Sequence, residues 1–131
     1  MEIPVNDTVL NLATYRTWMG NDGIARTKVK PFANITFKEA RENSEVINAF
    51  YAGKKFPLLV DSRDIRSITK EARDFFSIQK RETAVNALAI LIYSPLSKII
   101  GNFFMDLNKP QVPAKLFTNE LEALNWLKQY L

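Results

Sequence analysis

Between residues 61 and 69 the chain reads Asp61-Ser62-Arg63-Asp64-Ile65-Arg66-Ser67-Ile68-Thr69, placing two carboxylates, two guanidinium groups and three hydroxyls in nine positions. Asp61 and Asp64 could work as an acid–base pair if one of them had a raised pKa. Arg63 and Arg66 offer forked donors to an anionic group. Ser67 and Thr69 are hydroxyls that could accept a phosphate, with Arg66 beside them. The plainer alternative is local ion pairing of Asp with Arg, and a helix cap at Thr69. A second polar stretch, Ser94-Pro95-Leu96-Ser97, has a serine and proline in the order of a helix start.

Composition removes much other chemistry. The 131 residues contain no histidine and no cysteine. Ser-His-Asp and Cys-His catalysis are therefore excluded, as are disulfides and the common zinc and iron ligand sets. No loop has calcium-binding spacing, so neither a metal nor a cofactor is expected. Hydrophobic residues make up 47% and charged residues 24%, ordinary for one globular domain, here expected over 1–131. The N-terminal segment lacks a basic stretch followed by an apolar one, and the longest apolar run, Ala87 to Tyr93, is far short of a membrane span. These features read as a cytoplasmic protein with no transmembrane segment. The net charge of +4 is spread along the chain, so nucleic acid is not an expected partner.

The elements that must carry these residues follow from pattern. Thr8 to Met19 and Ile24 to Lys30 flank Gly20-Asn21-Asp22-Gly23 and predict an antiparallel hairpin. Its second strand puts Ala25, Thr27 and Val29 on one face. The other face carries Arg26, Lys28 and Lys30, joined across the hairpin by Arg16. That basic stripe could contact phosphates or an acidic partner, but it reads as the solvent face of an edge hairpin. Thr36-Phe37-Lys38-Glu39 is a capping box opening a helix that Gly53 can end. Pro57 to Asp61 and Ala87 to Tyr93 are apolar strands without alternation, as expected when both faces are covered. A helix capped by Thr69 lies between them.

From Ser94-Pro95 a helix runs to about Leu107, with Leu96, Ile99, Ile100, Phe103, Phe104 and Leu107 inside an arc of about 140°. Val112 to Phe117 is the last strand. Asn119-Glu120-Leu121-Glu122 opens the C-terminal helix. The predicted order is ββαβαβαβα, an α/β fold with a mixed, mostly parallel sheet and an N-terminal antiparallel hairpin.

Phe56-Pro57-Leu58-Leu59-Val60-Asp61, Ile68 to Arg73, Ser94 to Phe104 and Leu116 to Leu127 together resemble the SpoIIAA-like (STAS) superfamily. More closely, they resemble a bacterial family of short STAS-type proteins related to CRAL-TRIO domains. The resemblance implies a SpoIIAA-like fold. Superfamily members include anti-sigma-factor antagonists switched by serine phosphorylation, transporter modules and lipid-carrying relatives. The antagonists carry an Asp-Ser-Ser-Gly-like stretch where this chain has Asp64-Ile65-Arg66-Ser67-Ile68-Thr69-Lys70 without glycine, leaving Ser67 or Thr69 as the stand-in acceptor.

In such a sheet the strand ends and helix starts share one edge, where ligands usually bind. That edge is expected to hold Asp61, Arg63, Asp64, Arg66, Ser94 and Ser97. The expected function is a non-catalytic STAS-like interaction or regulatory module. Its counterpart is a protein partner or a small anionic or apolar ligand, with a homodimer also open. The alternatives are a carrier of a hydrophobic ligand or lipid, using the helix at 95–107, and an enzyme using Asp61 and Asp64.

Overall fold

The computed structural model describes residues 1, 3, 9–51, 53–72, 84–92 and 112–131. The helix expected from Pro95 to Leu107, with Ser94 and Ser97, lies outside them. So does the helix after Thr69 beyond its opening turn at Lys70 to Ala72.

The main sheet has six strands: β1 (Leu10–Asn11), β2 (Tyr15–Met19), β3 (Ala25–Val29), β5 (Phe56–Asp61), β7 (Val85–Leu91) and β8 (Ala114–Phe117). They lie in the order β1-β2-β3-β5-β7-β8. β1, β2 and β3 pair antiparallel, whereas β3–β5, β5–β7 and β7–β8 are parallel. The predicted α/β architecture with its N-terminal hairpin is therefore present. The long first strand is not: the chain bends at Ala13-Thr14, leaving only two residues in β1. The apolar strand also begins earlier than expected, at Val85, and ends at Leu91.

The hairpin is closed by side chains as well as by its turn. Asp22 accepts from Arg26 Nη1 at 2.5 Å and Nη2 at 2.9 Å, and Arg26 Nη1 also donates to the Ile24 carbonyl at 2.7 Å. Farther along, the buried hydroxyls of Thr17 and Thr27 face each other at 2.8 Å. A Cβ on Gly20 would stand 1.9 Å from Arg26 Nη1 and 2.7 Å from Asp22 Oδ1. Gly20→Ala is expected to drive the guanidinium off the Asp22 carboxylate and cost about 0.5–1 kcal/mol in chemical denaturation, the scale of a partly exposed ion pair. An unchanged midpoint would mean that the fork adds nothing to stability.

α1 (Phe37–Phe50) packs on one face of the sheet, where Ala25, Ile47, Tyr51, Phe56 and Leu58 form one core cluster. Its capping box forms as predicted, with the Thr36 N–H donating to Glu39 Oε2 at 2.9 Å. α2 (Glu120–Leu127) covers the other face and runs into a 3-10 turn, Lys128–Tyr130. There Ile24, Leu59, Ala87, Ala89, Leu91, Phe117, Ala123 and Leu127 form a second cluster. Asn119 caps α2 by accepting from the Glu122 N–H at 3.0 Å. No described helix is long and apolar enough to cross a membrane.

A second, two-stranded parallel sheet was not legible in the sequence. β4 (Asn34–Ile35) pairs with β6 (Ser67–Ile68), joining the loops that follow β3 and β5. It sits on a third cluster of Val29, Ala33, Ile35, Ala40, Ile68 and Ala72. Two-residue strands carry no periodicity, so only the meeting of distant loops creates them.

Candidate site at the carboxyl edge of the parallel strands

Because β3, β5, β7 and β8 run parallel, their carboxyl ends share one edge of the sheet. Asp61 is the last residue of β5 and is only 1% exposed. Its register partners are Lys28 on β3 and Leu91 on β7. The Lys28 ammonium reaches Asp61 Oδ2 at 3.3 Å and Asp64 Oδ2 at 3.5 Å, bridging the two carboxylates. From the other side Arg63 folds back over Asp61. Its Nε donates to Oδ1 at 2.9 Å and its Nη2 to Oδ2 at 2.8 Å, while its backbone N–H donates to Oδ1 at 3.1 Å. Ser62 ties the strand end to β7 by donating its hydroxyl to the Leu91 carbonyl at 2.8 Å.

Burial alone would raise the Asp61 pKa. The hydrogen bonds from the Arg63 side chain and backbone, with the charges of Lys28 and Arg63, outweigh it and hold the carboxyl below its ordinary range. Asp61 in turn holds the Arg63 guanidinium firmly protonated. A catalytic acid at Asp61 would need the opposite shift, so this geometry does not make Asp61 a poised acid. Arg63, expected as an anion receptor, turns its fork onto Asp61 instead. Among the described residues, no cluster of three or more carboxylates is arranged to hold a metal ion.

The basic stripe expected on an edge hairpin is corrected by the topology. β3 is interior, between β2 and β5, and its cations are distributed among partners inside the chain. Arg26 is on Asp22, Lys28 is on Asp61 and Asp64, and Arg16 donates to Asn11 Oδ1 at 3.3 Å. Lys28 was legible as a basic residue but not as the partner of Asp61, because strand register is not written in a single strand.

Three other predicted residues lie in or beside the small sheet. Arg66 is exposed, and its backbone N–H donates to the Ala33 carbonyl at 2.9 Å. Ser67 is exposed and donates to Asn34 Oδ1 at 2.5 Å. Thr69 is half-buried, and its Oγ1 accepts from the Ala72 N–H at 3.2 Å, the cap expected of it.

One residue of this edge escaped the sequence reading. Lys30-Pro31-Phe32-Ala33 is a turn closed by the Ala33 N–H on the Lys30 carbonyl at 3.2 Å, and Phe32 has φ of 61°. Proline second and positive φ third is the type II pattern, in which the third place normally belongs to glycine. Left-handed backbone costs a non-glycine residue roughly 1–2 kcal/mol. Ala33 and Ile35 belong to the third cluster, whereas Phe32, at the left-handed corner of the turn, is 78% exposed. Proline followed by a non-glycine residue after a strand was the available signal.

At the far end of the same edge an open cleft of about 250 Å³ is lined by Ile92, Lys115, Leu116, Phe117, Thr118 and Glu122. Neither aspartate lines it. The apolar cavity that a carrier would need was expected against the helix at 95–107, outside the described residues.

The strand order and the two-sided helix cover are those of a SpoIIAA-like fold. An uncharacterised protein from Shewanella loihica PV-4, of the DUF3478 family and with a SpoIIAA-like fold, aligns at a TM-score of 0.64. It is 17% identical, and the alignment covers 90% of this chain and 97% of that one. By sequence the chain belongs to the DUF7793 family, a domain of unknown function, whose pattern matches residues 17–131. A protein of unknown function from Arthrobacter sp. FB24 is 32% identical over 85% of this chain and 96% of its own, with a TM-score of 0.35. No curated protein matches.

Proposed function

We propose that this protein is a non-catalytic, STAS-like interaction module that binds a protein partner through the carboxyl edge of its parallel strands. The observation that carries this reading is the state of the ionisable groups there. Asp61, Arg63 and Lys28 neutralise one another within the chain, which suits a rigid platform rather than a reactive centre. Beside them, Phe32 and Arg66, which flank the small sheet, and Ser67 within it are exposed. Of the two candidate phospho-acceptors, exposed Ser67 suits a kinase better than Thr69, whose oxygen caps a helix.

Photo-cross-linking in cells tests the reading. A photoreactive amino acid at Ser67 is expected to capture a defined partner that the same group at Asn21, on the hairpin turn, does not. Equal capture from both positions, or a small apolar molecule found by native mass spectrometry in stoichiometric amount, would replace the module with a non-specific surface or a carrier.

A further inference from the structure

Phe32 is unfavourable twice over for the isolated chain. It holds a backbone conformation that suits glycine, and it exposes an aromatic ring to water. Glycine would remove both penalties, and nothing in the third cluster needs the ring, since that cluster is completed by Ala33 and Ile35. The turn is nevertheless held firmly. The Phe32 N–H donates to the Asp64 carbonyl at 3.0 Å, and the Ala33 carbonyl accepts from Arg66 and Ser67 at 2.9 and 3.2 Å. A strained, rigidly presented, exposed aromatic is the form in which binding anchors occur.

The surrounding charge indicates what it meets. Lys30 opens the turn and exposed Arg66 is bonded to the residue after Phe32, and neither makes an ion pair among the described residues. Asp61 and Asp64 are engaged by Lys28, and Glu39 by Thr36. The patch is thus an aromatic ring flanked by two available cations.

We propose that Phe32 is the anchor of the docking site, inserting into an apolar pocket on a partner protein whose rim carries carboxylates that meet Arg66 and Lys30. This deepens the module reading and rests on it. A membrane surface suits the patch less well. One ring and two cations, at roughly 1 kcal/mol for each cation near an anionic leaflet, would hold the protein there only weakly.

The variant Phe32→Gly separates binding from folding, because the two should move in opposite directions. Its thermal midpoint is expected to rise by about 3 °C or more. A fall would show that the ring packs structurally and would overturn the proposal. Binding is read with random peptides displayed on phage, selected on the wild-type protein and counter-selected on Phe32→Gly. Recovered peptides are expected to combine Asp or Glu with large apolar residues. They should bind Phe32→Gly about tenfold or more weakly and shift amide resonances at 30–35 and 64–68. Peptides without acidic enrichment, or no Phe32-dependent peptides at all, would overturn it. Phe32-dependent sedimentation with phosphatidylserine vesicles but with no selected peptide would assign the patch to membranes instead. A partner cross-linked from Ser67 whose affinity is unchanged by Phe32→Gly would remove the anchor while leaving the module standing. Failure of the wild-type protein to cross-link any defined partner from Ser67 would remove the module.

Discussion

Asp61→Ala is expected to lower folding stability toward the lower end of about 3–5 kcal/mol, the range for removing one member of a buried charge network. The side chain is fully buried and accepts from Arg63 three times, with Lys28 also in contact. Without the carboxylate, two cations face each other at the end of a core strand. Both retain some solvent contact, which is why the lower end is expected. Asp61→Asn keeps an acceptor for the Arg63 backbone N–H and should be milder. The pH dependence has a definite sign. The folded-state pKa of Asp61 lies below its ordinary value of 3.8. Its contribution is therefore complete above that value and is lost as pH falls through it toward the lower folded-state pKa. Urea denaturation between about pH 6 and pH 3 should show a smaller acid loss in Asp61→Asn than in the wild type. Identical acid limbs would mean that the pair carries no net stabilising charge. If Asp61→Asn also leaves the Ser67 cross-link intact after correction for folding, the carboxylate is scaffold and not contact surface.

Leu59→Ala should cost about 3–5 kcal/mol, near the top of the range for large-to-small core changes. Leu59 is 0% exposed and lies on β5 between β3 and β7. Its register partner on β7 is Ala89, and Ala87 and Ala123 belong to the same cluster. The leucine fills space that these small residues leave, and alanines have no side chain with which to close over a cavity. Chemical denaturation reads the effect directly. A loss below about 1 kcal/mol would show that α2 settles onto the sheet when the leucine is removed.

The two variants act at neighbouring inward positions of one strand, and this bears on how the edge is built. Leu59 and Asp61 point to the same face, two residues apart. The first fixes β5 under α2, and the second fixes the loop from which the small sheet starts. Residues 62–68 therefore emerge from a strand end held by apolar burial and by charge. That rigidity lets a loop carry Arg66 and Ser67 at defined positions next to Phe32.

Much of this molecule was determined by the sequence alone. The absence of histidine and cysteine excluded whole reaction classes without any structure. The α/β class followed from unalternated apolar strands, because a strand covered on both faces has no polar side to alternate with. The capping box at Thr36 and the side-chain cap at Asn119 both form where the sequence placed helix starts, because caps depend on neighbours three residues away. Tertiary structure decided what depends on distant residues meeting. The register that sets Lys28 opposite Asp61 turned a basic stripe into an internal ion network. Asp61 itself was visible as a carboxylate, but its burial is set by the sheet, and its lowered pKa comes from the folded-back Arg63 and then from Lys28, on another strand. The sheet formed by Asn34-Ile35 and Ser67-Ile68 has too few residues to leave a pattern, and its existence depends on two loops being brought to the same edge. The exposure of Phe32 belongs to the same meeting of loops, because its turn is held by the Asp64 carbonyl, which accepts from the Phe32 N–H.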